Sequence, residues 1–274
     1  MNDSPSYQSY MRSPFRSIKH TTYFRVYDEL FDKYRGKPVT FVEIGVLGGG
    51  SLFMWRDFFG PEARIIGVDL NPNAKKWEEH GFEIIIGSQS DEAFWSSFRN
   101  EIGAVDIVLD DGGHTYDQQI TTVECLLENI GDGGMLVVED THTSYMQGFG
   151  PRKYSFIEYS KIMIDVINHR FNEFSENRDY RVWSVEFFES IVAFKVNRPA
   201  STLESRPTEN DGEFDRARDF RYRDNATVTK INQAERALKN YGFLPDLSAV
   251  FAFVRDMAVR RKFRARKYFN KPMK

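Results

Sequence analysis

Two short stretches of the chain hold residues that can do chemistry together. Leu109-Asp110-Asp111-Gly112-Gly113-His114 and Val138-Glu139-Asp140-Thr141-His142 each set two carboxylates ahead of a histidine. Four carboxylates brought close repel one another unless they are protonated or share a cation. A hard divalent ion with oxygen ligands resolves the repulsion. Magnesium suits the task, because it takes few carboxylates and leaves positions for water and substrate. His114, three residues after Asp111, would stand near such an ion and could take a proton from a substrate hydroxyl. The plainer reading is that these residues cap helices, with Thr115 or Asp117 as the N-cap. Two acidic pairs and a histidine exceed what capping uses. His142 competes with His114, as a lining of the substrate mouth or as an ordinary loop residue.

A third stretch, Phe41-Val-Glu-Ile-Gly-Val-Leu-Gly-Gly-Gly-Ser51, ends an apolar run in glycines, and Val68-Asp69 closes the next run. A glycine-rich loop after a strand lets backbone approach a ligand and aims a helix N-terminus at it. An acid ending the second strand can accept both hydroxyls of a ribose. Leu47 stands where a dinucleotide fingerprint carries its second glycine, the point at which a pyrophosphate needs bare backbone. Glu43 would repel a pyrophosphate but suits an amino group or a sulfonium. The loop therefore favours a cationic, phosphate-free methyl donor. A dinucleotide and a plain glycine turn remain as alternatives.

These residues need a sheet whose strand ends meet. Apolar runs at Val39–Ile44, Arg64–Val68, Ile84–Ile86, Asp106–Leu109 and Met135–Val138 alternate with helical patterns at Leu52–Phe59, Glu92–Asn100 and Tyr116–Asn129. That alternation predicts a mostly parallel sheet covered on both faces. A helix over Tyr154–Phe171 follows. Arg181–Glu186 and Ser190–Val196, with Phe187–Glu189 between them, read as a terminal antiparallel pair. Residues 1 to about 18 read as a loose polar arm. Tyr23, Val26, Tyr27, Leu30 and Phe31 recur at helical spacing until Gly36-Lys37-Pro38. Lys19, His20 and Thr21, just before that helix, are placed to fold over the donor. Residues 197–227 read as an irregular excursion, and Val228–Tyr241 and Leu247–Phe269 as helices, the last basic. Three parts result: an arm and helix at 1–38, an α/β core at 39–197, and a linker with a helical basic extension at 198–274.

The chain has 274 residues, a net charge of −3, and 28% charged against 41% hydrophobic residues. That is an ordinary globular composition with no global affinity for nucleic acid. The single cysteine, Cys125, excludes an internal disulfide framework and points to a reducing cytoplasm. Neither a signal peptide nor a membrane span is expected.

The three motifs together resemble those of the metal-dependent sugar O-methyltransferases of antibiotic biosynthesis, over roughly residues 19–196. The resemblance implies a Rossmann-like class I methyltransferase fold, S-adenosylmethionine and Mg2+. It also implies Asp111, Glu139 and Asp140 as metal ligands and His114 as general base. Glu43, Gly45, Ser51, Asp69, the Gly87-Ser88-Gln89 turn and Asp110 would face the donor. The expected acceptor is a glycosylated small molecule, with no nucleic-acid or membrane partner, and the expected assembly is a homo-oligomer. A catechol-type enzyme on the same acidic site, and a non-catalytic donor-binding module, stay open.

Overall fold

The computed structural model describes residues 3–171, 179–213, 220–239, 247–261, 263 and 265–269. Its chain divides into two compact units, 1–207 and 208–274.

The first unit is built on seven strands: β1 (Thr40–Ile44), β2 (Arg64–Asp69), β3 (Glu83–Ile86), β4 (Val105–Asp110), β5 (Ile130–Val138), β6 (Ser184–Phe188) and β7 (Ile191–Lys195). Their order is β3-β2-β1-β4-β5-β7-β6. The first five are parallel, and β7 runs antiparallel to both β5 and β6. The order reverses between β1 and β4, and an open sheet forms its ligand crevice at such a point, beyond the carboxyl ends of the strands. The register fixes what meets there. Ile44 pairs with both Val68 and Asp110, and Asp110 pairs with Val138. The strands thus end level, and the residues that follow them share one rim.

Period-two alternation sends each strand into two cores. Phe41, Ile65, Ile107, Leu109 and Val137 pack under α2 (Tyr23–Phe31) and α3 (Gly50–Phe59). Val42, Ile66, Val108 and Leu136 pack on the other face, under α4 (Glu92–Ile102), α5 (Tyr116–Leu126) and α6 (Phe156–Asn168). The helical stripe from Tyr23 to Phe31 is buried along its whole apolar side.

The structure revises three expectations. The arm is not loose: Pro5–Arg12 forms α1, capped by Ser4, whose side chain accepts from Tyr7 N. It docks through small polar residues, with Ser6 N donating to Asp28 Oδ1 and Ser6 Oγ to the Phe24 carbonyl, both at 2.9 Å. A helix seated by serines carries no apolar period to read. Second, the hairpin turn is Glu189-Ser190 rather than 187–189. Phe187 and Phe188 pair with Val192 and Ile191, since aromatic side chains fit a pleated surface, and Ser190 takes the positive φ of 63°. Third, α7 (Arg198–Thr202) opens the stretch read as irregular, capped by Asn197.

In the second unit, α8 (Ala226–Lys239) and α9 (Ser248–Arg261) are joined by Arg255, which reaches Glu235 at 2.7 Å and Asn232 at 3.0 Å. The helix expected over 247–269 is two, with α10 (Arg266–Phe269) separate. Tyr241, the expected end of the preceding helix, lies outside the described residues, as do Lys262, Arg264, Lys271 and Lys274 of the basic tail. Among the described residues no helix is long and apolar enough to cross a membrane.

Candidate active site

A cavity of about 550 Å³ opens at the rim where β1, β2, β4 and β5 end, a size ordinary for a small-molecule site. Its first end is made mostly of backbone. Gly45 follows β1 at φ 92°, and a Cβ there would collide with the Asp111 carbonyl, so only glycine lets the two loops touch. Val46 N and Leu47 N donate to Asp69 Oδ2 at 2.8 and 2.9 Å, and Asn71 N donates to Oδ1 at 2.8 Å. Asp69 therefore shapes the loop as well as facing the cavity, and its carboxylate keeps lone pairs for a diol. Leu47 adopts a positive φ of 44° with its side chain 89% exposed. The absent glycine is thus replaced by a largely exposed residue that also lines the cavity. Ser51, Ser88 and Gln89 line the same end.

Glu43 and Asp110, both expected at the donor, do not line the cavity. Strand parity puts Glu43 on the Phe41 side of β1, under α3. There it accepts from Ser51 Oγ at 2.8 Å and Trp55 Nε1 at 3.1 Å. Burial pushes its carboxyl up to about 7 against the pull of Lys19. Asp110 lies on the Val108 side of β4, toward α5. Gln89 Nε2 reaches both of its oxygens at 2.7 Å and Thr122 Oγ1 at 3.0 Å, and Gly112 N donates to Oδ1 at 3.1 Å. Burial raises Asp110 to about 7 as well. Asp110 thus supports Gln89 and the turn at Gly112 from behind the cavity wall.

The second end is made of side-chain charge. Lys19 Nζ donates to Asp111 Oδ2 at 2.7 Å and to Glu139 Oε2 at 2.9 Å, with its side chain only 2% exposed. Burial lowers its pKa, but the charges of Asp111 and Glu139 outweigh that and hold the ammonium well above its usual range. Tyr27 Oη donates to Glu139 Oε1 at 2.5 Å. Tyr23 Oη donates to Asp140 Oδ1 at 2.5 Å and lies 2.8 Å from Ser190 Oγ. His114 Nε2 stands 3.4 Å from Asp140 Oδ2. Both residues hold left-handed backbone, with φ 59° for His114 and 55° for Asp140. For non-glycine residues that conformation costs on the order of 1–3 kcal/mol and persists where the surroundings enforce it, often at functional sites. His114 Nδ1 is buried and has no hydrogen-bond partner among the described residues. His142 Nδ1 is tied to Ser190 Oγ at 2.5 Å and lies 3.9 Å from Asp140 Oδ1.

The donor set suits a hard ion. Among the described residues, one atom each from Asp111, His114 and Asp140 come within 4.8 Å of one another, and so do His20, Asp140 and His142. Glu139 belongs to neither set, its two oxygens being taken by Tyr27 and Lys19. Asp111, Glu139 and Asp140 therefore share the cavity while Asp110, expected among them, stands behind its wall, and part of the repulsion is relieved by an ammonium and two phenols from the N-terminal region. Lys19 was expected over the donor; it reaches the acidic end. Tyr23 and Tyr27 were read only as apolar helix residues. Tyr23 and Tyr27 stand four apart on α2, so their hydroxyls fall on one helix face; Lys19 lies before the helix, where spacing carries no such signal.

Residues 42–141 match a family model described as a methyltransferase domain. The chain is 38% identical over 132 residues to a tetracenomycin-C rhamnosyl 3'-O-methyltransferase of Streptomyces olivaceus, an alignment covering 46% of this chain and 33% of that protein. It is 36% identical over 157 residues to mycinamicin VI 2''-O-methyltransferase of Micromonospora griseorubida, covering 53% and 39%. The matched region spans little more than a third of these curated relatives. Among solved structures, the MycE methyltransferase of the mycinamycin pathway, in complex with Mg, SAH and mycinamycin VI, aligns with a TM-score of 0.65 at 28% identity, over 75% of this chain and 55% of that one. The fold is that of the class I S-adenosylmethionine-dependent methyltransferases, and over 132 to 157 residues the chain is similar to sugar O-methyltransferases of natural-product biosynthesis.

Proposed function

We propose that this chain transfers a methyl group from S-adenosylmethionine to a sugar hydroxyl of a glycosylated natural product. The carrying observation is that one cavity joins the loop at Gly45 and Asp69 to Asp111, His114, Glu139 and Asp140. Donor and acceptor chemistry then meet within a single open cavity, the arrangement that proximity requires.

The methyl group passes in line from sulfonium to oxygen, and the departing thioether is neutral, so little charge needs stabilising on that side. The difficulty is the nucleophile, since a sugar hydroxyl is scarcely ionised near neutral pH. Asp111 and Asp140, with Glu139 when it is free, are the residues that would hold Mg2+. A bound divalent ion supplies a lowered hydroxyl pKa and a fixed orientation. His114 takes the proton at Nε2, which stands 3.4 Å from Asp140 Oδ2. Asp69 accepts the donor's ribose diol, and the bare backbone at Gly45 and Val46 admits its methionine end. The similarity to sugar O-methyltransferases supports a glycoside over a flat phenol.

A mass-spectrometric screen tests this. The purified chain, donor and Mg2+ are offered glycosylated polyketides and macrolides beside simple catechols. The expected product is a glycoside one methyl group heavier, with the fragment ion placing the gain on the sugar. Methylation of catechols alone would replace the acceptor. Donor binding with no transfer to any hydroxyl would reduce the chain to a binding module.

A further inference from the structure

We infer that Lys19 is a built-in occupant of the metal seat, a cation that a divalent ion must displace before Glu139 can join its ligands. The inference rests on the proposed metal at Asp111, Glu139 and Asp140. It asks how an ion reaches them when one seat is already filled.

The geometry carries the argument. The Lys19 ammonium lies 2.7 Å from Asp111 Oδ2 and 2.9 Å from Glu139 Oε2. An ion bridging those same oxygens at about 2.1 Å, the distance magnesium demands, needs the same space. The second Glu139 oxygen is already hydrogen-bonded, by Tyr27 Oη at 2.5 Å, so an ion there would have to share it. Asp111 and Asp140 alone outnumber the one ammonium, so the seat keeps negative charge even while Lys19 holds it.

The segment bearing Lys19 can release it. Residues 13–20 have neither helix nor strand. They cross the glycine loop so closely that a Cβ on Gly50 would collide with the Phe15 carbonyl. Anchors lie on both sides of Lys19, since after it the His20 carbonyl accepts from Tyr23 N at 3.1 Å and the His20 ring packs on Tyr23 and His142 with centres 5.1 and 5.6 Å apart. Ser13 Oγ donates to the Gly50 carbonyl at 2.7 Å, Phe15 packs on Trp77 with ring centres 4.6 Å apart, and Tyr10 Oη donates to the Ser17 carbonyl at 3.0 Å. Lys19 lines the cavity, so rotation about its stem, with the backbone held on both sides, is the route by which the ammonium would leave the carboxylates. Metal occupancy is then set by this lysine as well as by the carboxylates.

Calorimetric titration of the full chain with Mn2+ tests the claim without any assay of turnover. Lys19→Met keeps the stem and removes the charge. It should bind Mn2+ at least tenfold more tightly than wild type. Equal or weaker binding by the variant would overturn the competition while leaving the metal site standing. Absence of Mn2+ binding in both proteins would overturn the metal reading and this inference with it. A second measurement covers a variant that fails to fold. In the wild-type chain, acetic anhydride should modify Lys19 slowly without metal and at least fivefold faster at saturating Mg2+, read by peptide mass spectrometry. A rate unchanged by Mg2+ would contradict displacement.

Discussion

At one end of the cavity Asp69 meets Val46 and Leu47 across 23 and 22 residues of sequence. At the other, Lys19 meets Asp111 and Glu139 across 92 and 120. The donor end is a local structure made of backbone N–H groups, one acid and a glycine that nothing else can replace. The acidic end is a long-range structure made of buried charges, phenols and two residues in left-handed backbone. The first depends on chain geometry, down to the positive φ that Leu47 adopts. The second depends on each side chain finding a partner, because an unpaired charge in a dry site is costly.

If the two ends are separable, substitutions at each should damage different quantities. The largest effect is expected at the acidic end. His114→Ala should lower kcat by about 10²–10⁴-fold, the usual worth of a positioned base, with donor affinity measured by calorimetry nearly unchanged. Loss of donor binding in that variant would show the two ends to be one cooperative unit. Asp69→Ala should do the reverse, weakening donor binding by about ten- to a hundredfold, as expected for lost hydrogen bonds to a charged group. Its kcat at saturating donor should stay within a few-fold of wild type.

Two smaller effects compare buried acids. Tyr27→Phe removes a donor from the fully buried Glu139 and should cost about 1–3 kcal/mol in urea unfolding. Little change would mean that Lys19 alone satisfies that carboxylate. Glu43→Gln should act in the opposite direction. Burial raises Glu43 from its ordinary 4.5 to about 7. A carboxyl whose folded pKa is raised gives stability that is complete below about 4.5 and is lost as pH climbs through about 7. The amide cannot ionise and escapes that loss, while Ser51 can reverse its hydrogen bond. The variant should therefore be more stable by about 1–3 kcal/mol above pH 7, with the gain vanishing near pH 4. Unfolding at the two pH values checks both magnitude and sign.

The same contrast explains what could be read from the sequence. Alternating runs such as Phe41–Ile44 and Met135–Val138 announce their strands, because each strand is buried on both faces and the pattern lies within it. The spacing of Asp111 to His114, and the pair Glu139-Asp140, could be read as one cluster, and these four residues line one cavity because level strand ends bring consecutive rims together. Glu43 and Asp110 were misread as donor contacts. Their positions at strand ends suggested the crevice, but side-chain parity turns Glu43 under α3 and Asp110 toward α5. The helix at Pro5–Arg12 was hidden because serines and tyrosines seat it by hydrogen bonds and ring contacts. Lys19 was visible as a residue beside the site, but an ion pair over 120 residues leaves no trace in spacing.

The central claim is that the two ends act on one hydroxyl with a divalent ion between them. Methyl transfer to an accepted glycoside, followed by mass spectrometry with enzyme in excess over acceptor, tests it most directly when run with EDTA and then with Mg2+ restored. The account predicts that chelation abolishes transfer and that added Mg2+ recovers it. Transfer that proceeds unchanged in EDTA would contradict it.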